Sequence, residues 1–178
     1  IEERVVHAVD KAAGDPGDCL VFLPGKGEIA RVGDRLKSRH ELEVLSIHGG
    51  LALREQARIF EPGRRRRVIL ATNVAETSIT VPGVGVVIDS GLVRRTRYHG
   101  GRGFLTLMPI AMDSAQQRAG RAGRLAPGVC YRLWKREAIL TETTPPEMHR
   151  ESLVTLVLGA AACGARAEEL PFLDPPRD

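Results

Sequence analysis

Eight consecutive residues, Gln117-Arg118-Ala119-Gly120-Arg121-Ala122-Gly123-Arg124, bring together an amide and several guanidiniums. Gln117, Arg121 and Arg124 are spaced i, i+4 and i+7, which predicts one face of a helix opened by Asp113 or Ser114 as N-cap. Two glycines within such a helix cost roughly 1 kcal/mol each relative to alanine, so close backbone approach on the opposite side is the expected gain. Guanidiniums match phosphate oxygens bidentately and stay charged at working pH. A rigid row of them can stabilise charge developing on a transferring phosphoryl group. The bland alternative is a solvated basic helix face. Arg118 falls off the shared face and is expected to be a structural ion-pair member.

A second group is Thr72-Asn73-Val74-Ala75-Glu76-Thr77-Ser78-Ile79-Thr80, directly after the apolar run Val68-Ile69-Leu70-Ala71. Asn73 and Glu76 have the spacing of a helix-capping pair. The remaining hydroxyls, at a strand-to-helix junction, suit phosphate contacts. A third group, His48-Gly49-Gly50, also follows an apolar run, and its glycines let backbone approach a ligand closely. His48 is assigned no acid–base role.

The elements that must position these groups alternate along the chain. Residues 2–13 read as a helix with Val5, Val6 and Val9 inward. Cys19 to Leu23 is a buried parallel strand, and a helix with Ile29, Val32 and Leu36 inward runs to about Ser38. Strands follow at Glu43–Ile47, Val68–Ala71 and Val84–Ile88, with a helix over 52–60 between the first two. Arg64 to Arg67 is expected as a surface loop. Residues 92–99 and 103–108 read as a β-hairpin. Arg94, Arg95, Arg97 and Arg102 lie in the acid-free span between Asp89 and Asp113. Gly128–Trp134 is a last strand, 135–140 a short helix, and 141–146 a linker. Met148, Leu153, Leu156, Val157 and Ala160 mark an amphipathic helix. Alternating strands and helices imply a parallel α/β sheet with helices on both faces.

The 178 residues allow one domain with a sizeable core and part of a second, and the net charge of +4 permits a polyanionic partner. Cys19, Cys130 and Cys163 are far apart, with neither disulfide nor zinc spacing. No apolar run approaches membrane-spanning length, so a cytoplasmic protein (nuclear if eukaryotic) with no membrane partner is expected. The chain starts at Ile1 and stops at Asp178 without natural-looking ends and is expected to be a piece of something longer. Gly25-x-Gly27-x-x-Ala30 matches a dinucleotide-binding fingerprint, but the next strand ends in Ile47-His48 with no acid for a ribose. A dinucleotide-binding oxidoreductase is therefore the weaker alternative, alongside a non-hydrolysing nucleic-acid-binding module.

The eight-residue word resembles motif VI, Q-R-x-G-R-x-G-R, of superfamily 2 helicases of the DEAH-box type. Residues 71–80 resemble motif V of that family almost letter for letter, and Leu20–Ile29 resembles motif IV. The resemblance covers nearly the whole chain. It implies a second RecA-like domain over residues 1–142, with a protruding hairpin, and over 143–178 an incomplete start of a winged-helix region. It also implies ATP or another NTP with Mg²⁺ as cofactor and single-stranded nucleic acid (usually RNA) as partner. An accessory activator protein is a further candidate partner. Neither a Walker A loop nor Asp-Glu-Ala-His is in the chain, so the first RecA-like domain must supply the metal ligands, and the fragment alone is expected to be inactive. On the family pattern, Gln117, Arg121 and Arg124 are catalytic. Phe60, Ser78 and Thr80 bind nucleotide, Phe60 by stacking on the base. Thr72, Asn73, His48, Gly49, Gly50, Arg94, Arg95 and Arg97 contact nucleic acid. The carboxylate that usually follows Thr80 by two residues is here Pro82, which removes a ribose contact. The hairpin is expected to help part strands.

Overall fold

The computed structural model describes residues 1–61, 63–77, 79–99, 102–124, 126–149 and 152–175. Its strands are β1 (Asp18–Phe22), β2 (Leu42–Ile47), β3 (Arg66–Ala71), β4 (Val84–Asp89), β5 (Leu92–His99), β6 (Arg102–Pro109) and β7 (Val129–Arg132). Five of them form a central, all-parallel sheet in the order β2-β3-β1-β4-β7. β5 and β6 form a separate two-stranded sheet.

The continuous apolar runs have a simple cause: the central sheet is covered on both sides, so neither face can be polar. Cys19, Val21 and Leu23 of the β1 segment join Val68, Leu70, Val86 and Ile88 on one face. There α1 (Glu2–Lys11) and α2 (Lys26–Leu36) contribute Val5, Ala8, Val9, Ile29, Val32 and Leu36. Leu20, Phe22, Ile69, Ala71 and Val87 point the other way, against Ile59, Ala75, Val81 and Ala122. These come from the connections that carry α3 (Leu53–Ala57), α4 (Val74–Thr77) and the turn after α5 (Met112–Ala119).

The chain divides into two compact units. The first comprises Ile1–Arg94 and Leu107–Thr143, and the second Arg95–Thr106 and the residues from Thr144 onward. In the second unit Arg95 donates to the Thr144 hydroxyl at 3.2 Å. α6 (Val154–Ala162) buries Ala160 but leaves Val154, Val157 and Leu158 exposed. No helix of the described residues is long and apolar enough to cross a membrane.

Three local expectations are corrected. Residues 135–140 form turns rather than a helix. The predicted 52–60 helix is the short α3 followed by a 3-10 turn at Arg58–Phe60. Of the four-arginine run, Arg64 and Arg65 are exposed in a bend as expected, but β3 starts at Arg66. Arg66 donates to the carbonyls of Ala12 and Ala13, both at 2.8 Å, and Arg67 is buried. Backbone carbonyls left open at turns outcompete water for these guanidiniums.

Candidate nucleotide and nucleic-acid faces

The arginine-rich word departs from a single helical comb. α5 starts after Ala111 rather than at an Asp or Ser cap, and ends at Ala119. Gly120 ends the helix, and Arg121–Gly123 form a turn. Gln117 is exposed on α5, whereas Arg121 and Arg124 lie beyond it. The glycines, which weaken helix propagation, end the helix rather than ride within it. Arg121 is buried and donates to the carbonyls of Ile79, at 2.9 Å, and Glu76. Its Nε has no hydrogen-bond partner. Burial first, then the neighbouring Arg124 charge, push the Arg121 guanidinium below its ordinary value. Arg124 is exposed and donates to the Thr80 hydroxyl. Neither arginine pairs with a carboxylate among the described residues. A polyanion would therefore relieve a charge repulsion built into the turn.

Arg118 does what its off-face position implied. It is 1% exposed, with Nε 2.8 Å from Glu76 Oε2 and Nη1 2.9 Å from Asp89 Oδ1. Its guanidinium lies over the Phe22 ring at 4.9 Å. Glu76 Oε1 also accepts from the Ser114 hydroxyl at 2.6 Å. This replaces the expected Asn73–Glu76 capping pair: only the Glu76 backbone N–H bonds Asn73, through its carbonyl at 2.9 Å. The Glu76 carboxylate instead ties the segment after β3 to α5. Burial raises the Asp89 carboxyl above its usual range, against the opposing pull of Arg118.

Phe60 is 48% exposed, while its neighbour Ile59 is fully buried. The ring stands outside the core at the end of the 3-10 turn. A cleft of about 260 Å³ is lined by Thr80, Val81, Arg121, Ala122 and Arg124 among others. Ser78 lies outside the described residues.

The other candidate residues gather at the carboxyl ends of β2 and β3, which the parallel register sets side by side through the pair Ile47 and Ala71. The Thr72 N–H donates to the Ile47 carbonyl at 3.2 Å. His48 and Thr72 are half-buried, and Asn73, Gly49 and Gly50 are exposed. His48 Nδ1 accepts from the Gly50 N–H at 3.2 Å. Burial, then the Lys26 charge, hold the His48 imidazole below the usual histidine value. The neutral ring with Nδ1 accepting carries its proton on Nε2, as a donor. Lys26 was not singled out from the sequence. Its ammonium lies against the Gly50 backbone, where a Cβ would stand. The signal was a lysine in the Pro24-Gly25-Lys26-Gly27 turn at the end of a strand.

The hairpin forms over the predicted residues. Arg94 is not free at its base: it pairs with Glu28 at 2.9 Å. Burial works to raise the Glu28 carboxyl, but hydrogen bonds from Arg94 and Arg31 outweigh it and hold it low. This pair also packs against Gly25, where an added Cβ would meet Arg94 Nε at 3.0 Å and Glu28 Oε2 at 3.1 Å. A side-chain ion pair therefore sits over the Gly25 turn of the dinucleotide-like fingerprint. Arg97 and Arg102 are exposed, as are Phe104 and Leu105.

Residues 3–126 match the helicase conserved C-terminal domain. The chain belongs to that family, in its DEAH-box branch. The helicase domain is 40% identical over 176 residues to the probable ATP-dependent RNA helicase DHX35 homolog of Caenorhabditis elegans, a match covering 91% of this chain and 24% of that protein. It is 39% identical over 183 residues to the ATP-dependent RNA helicase HrpA of Escherichia coli, covering 98% of this chain and 14% of HrpA. The crystal structure of the Escherichia coli DEAH/RHA helicase HrpB superposes with a TM-score of 0.89 at 32% identity, over 99% of this chain and 24% of that one. The helicase domain thus spans a quarter or less of these relatives, and its sheet is RecA-like.

Proposed function

We propose that the chain is the second RecA-like half of an ATP-dependent RNA helicase. Residues 1–142 form that half and 143–178 begin a winged-helix region. Arg124, Arg121 and Gln117 face the γ-phosphate of a nucleotide held against a first RecA-like domain. Thr80 lies along the nucleotide, and Phe60 stacks on its base. The observation that carries the reading is the Arg121–Arg124 turn: two guanidiniums without a carboxylate partner, one of them bonded to Thr80, beside an open cleft. The donor set fits a triphosphate, whose role is to supply the phosphoanhydride bond that is cleaved. Arg124 reaches solvent and can follow charge that develops on the phosphoryl group as it is transferred to water, with the nucleoside diphosphate leaving. Arg121, anchored through Glu76 and Ile79, holds the turn in place. The Mg²⁺ that accompanies the triphosphate takes its protein ligands from the first RecA-like domain in this reading.

The carboxyl ends of β2 and β3 supply the nucleic-acid surface in this reading. The Gly49-Gly50 backbone, Thr72, Asn73 and the Nε2 proton of His48 donate to phosphate oxygens, with Lys26 adding charge. Such contacts track a backbone without reading bases. On the hairpin, the exposed Arg97 and Arg102 are the leading contacts, whereas Arg94 pairs with Glu28 and Arg95, a further contact, also bonds Thr144.

The test is ATP hydrolysis by the full-length protein with and without single-stranded RNA. Arg124→Ala should lower kcat by roughly 10³-fold or more while nucleotide affinity changes little, because the contact is made chiefly in the transition state. An unchanged kcat would refute the assignment.

A further inference from the structure

Arg67 directs its donors to three backbone carbonyls and to Asp18. Its Nη1 donates to the carbonyls of Ile59, at 2.8 Å, and Glu61, at 2.7 Å. Its Nη2 donates to the Pro82 carbonyl at 2.8 Å and lies 2.5 Å from Asp18 Oδ2. Its Nε donates to the same Asp18 oxygen at 2.7 Å, and its backbone N–H to Asp18 Oδ1 at 2.8 Å. Four of the five guanidinium N–H groups thus donate hydrogen bonds, and Nη2 completes the ion pair with Asp18. Asp18 in turn donates its own N–H to the Gly83 carbonyl at 2.8 Å. Gly83 has φ +80, and a Cβ there would meet Asp18 Oδ2 at 3.1 Å and Arg67 Nη2 at 3.4 Å.

What these contacts join is informative. Ile59 and Glu61 flank Phe60, so one nitrogen grips the backbone on both sides of the exposed ring. Pro82 lies two residues after Thr80, the hydroxyl that Arg124 bonds. One buried side chain therefore sets the spacing between the aromatic and the Thr80–Arg124 pair. For stability alone, an arginine 4% exposed is a poor choice: desolvating a buried ion pair costs about as much as the pair returns, and apolar residues of similar volume do as well. A lysine, with three donors on one point, could not hold three carbonyls and a carboxylate in a fixed fan.

From this geometry we infer that Arg67 and Asp18 are positioning residues for the nucleotide. They hold Phe60 at the distance from Thr80 and Arg124 at which one bound nucleotide meets both. The inference rests on reading Phe60 and Thr80 as nucleotide contacts, and the experiment separates the two. In the full-length protein, KM and kcat for ATP are measured for Phe60→Ala, Arg67→Lys and the double variant, with Tm recorded for each. Arg67→Lys should raise KM about tenfold, within the range that one stacked base is worth, with kcat within about twofold. The double variant should be no worse than Phe60→Ala, since Arg67 acts through the ring. Independent multiplication of the two effects would overturn the clamp. So would a lower Tm with normal KM, which would make Arg67 a staple of the fold and nothing more. A normal KM in Phe60→Ala sinks the stacking reading itself. A raised KM there with a normal one in Arg67→Lys sinks only the clamp. Should Arg67→Lys fail to fold, Asp18→Asn, which leaves the carbonyl contacts in place, enters the same cycle and is judged by the same outcomes.

Discussion

Replacing Arg118 by methionine isolates the link between the segment after β3 and α5. The methionine fills much of the same volume but leaves Asp89, 0% exposed, and the largely buried Glu76 facing each other without a cation. Asp89 Oδ2 already lacks a partner. Breaking a buried pair by removing one member costs about 3–5 kcal/mol, and the Arg118 stacking on Phe22 is lost as well. For a chain of this size each kcal/mol shifts Tm by about 2–4 °C, so Arg118→Met should lower it by about 6–20 °C. The pH dependence has a definite sign. Asp89 is already held above its ordinary value by burial, and loss of Arg118 moves it further up. A carboxyl whose folded-state pKa exceeds its unfolded value binds more protons folded than unfolded, so stability falls as pH rises between the two values. The deficit of Arg118→Met should accordingly be smaller near pH 5 than near pH 8. Adding Asp89→Asn should recover about half of the loss at pH 8 and flatten the dependence, because the uncompensated charge is the larger part of the cost. The assay is thermal unfolding by circular dichroism across pH. A loss under about 1 kcal/mol, or a double variant no better than the single at pH 8, would refute the reasoning.

Other outcomes follow from the same geometry. The isolated chain should show no magnesium-dependent ATP turnover, and turnover by rigorously purified material would overturn the half-site reading. Changing Arg95, Arg97 and Arg102 together to Gln in the full-length protein should flatten the log K against log salt slope for single strands by roughly 0.7 per lost phosphate contact, and impair unwinding. An unchanged slope with normal unwinding would leave the hairpin a structural edge. Thiol labelling should be ordered by burial: Cys163 is exposed and should react first, whereas burial pushes the Cys19 thiol up to about 12, so it should react only on unfolding. Labelling of Cys19 in the native chain would contradict the packing of β1.

The parallel sheet was legible in the sequence because a strand covered on both faces must be apolar throughout. Cys19–Leu23, Val68–Ala71 and Val84–Ile88 could hardly be anything else, and turn residues bounded each of them. The hairpin was legible from its glycines, and the arginine-rich word from its composition. What the linear pattern could not settle was the destination of each arginine. Four guanidiniums in a row look alike on paper. Yet Arg67 is locked among the carbonyls beside Phe60 and Pro82, and Arg66 bonds the end of the first helical segment. Arg94, Arg118, Arg121 and Arg124 diverge in the same way, into an ion pair, a buried network, a backbone anchor and an exposed donor. A long charged side chain takes whichever acceptor the fold leaves unsatisfied. Those acceptors come from residues 6 to 66 positions away in the chain, so only the tertiary structure decides which arginines remain to meet a ligand.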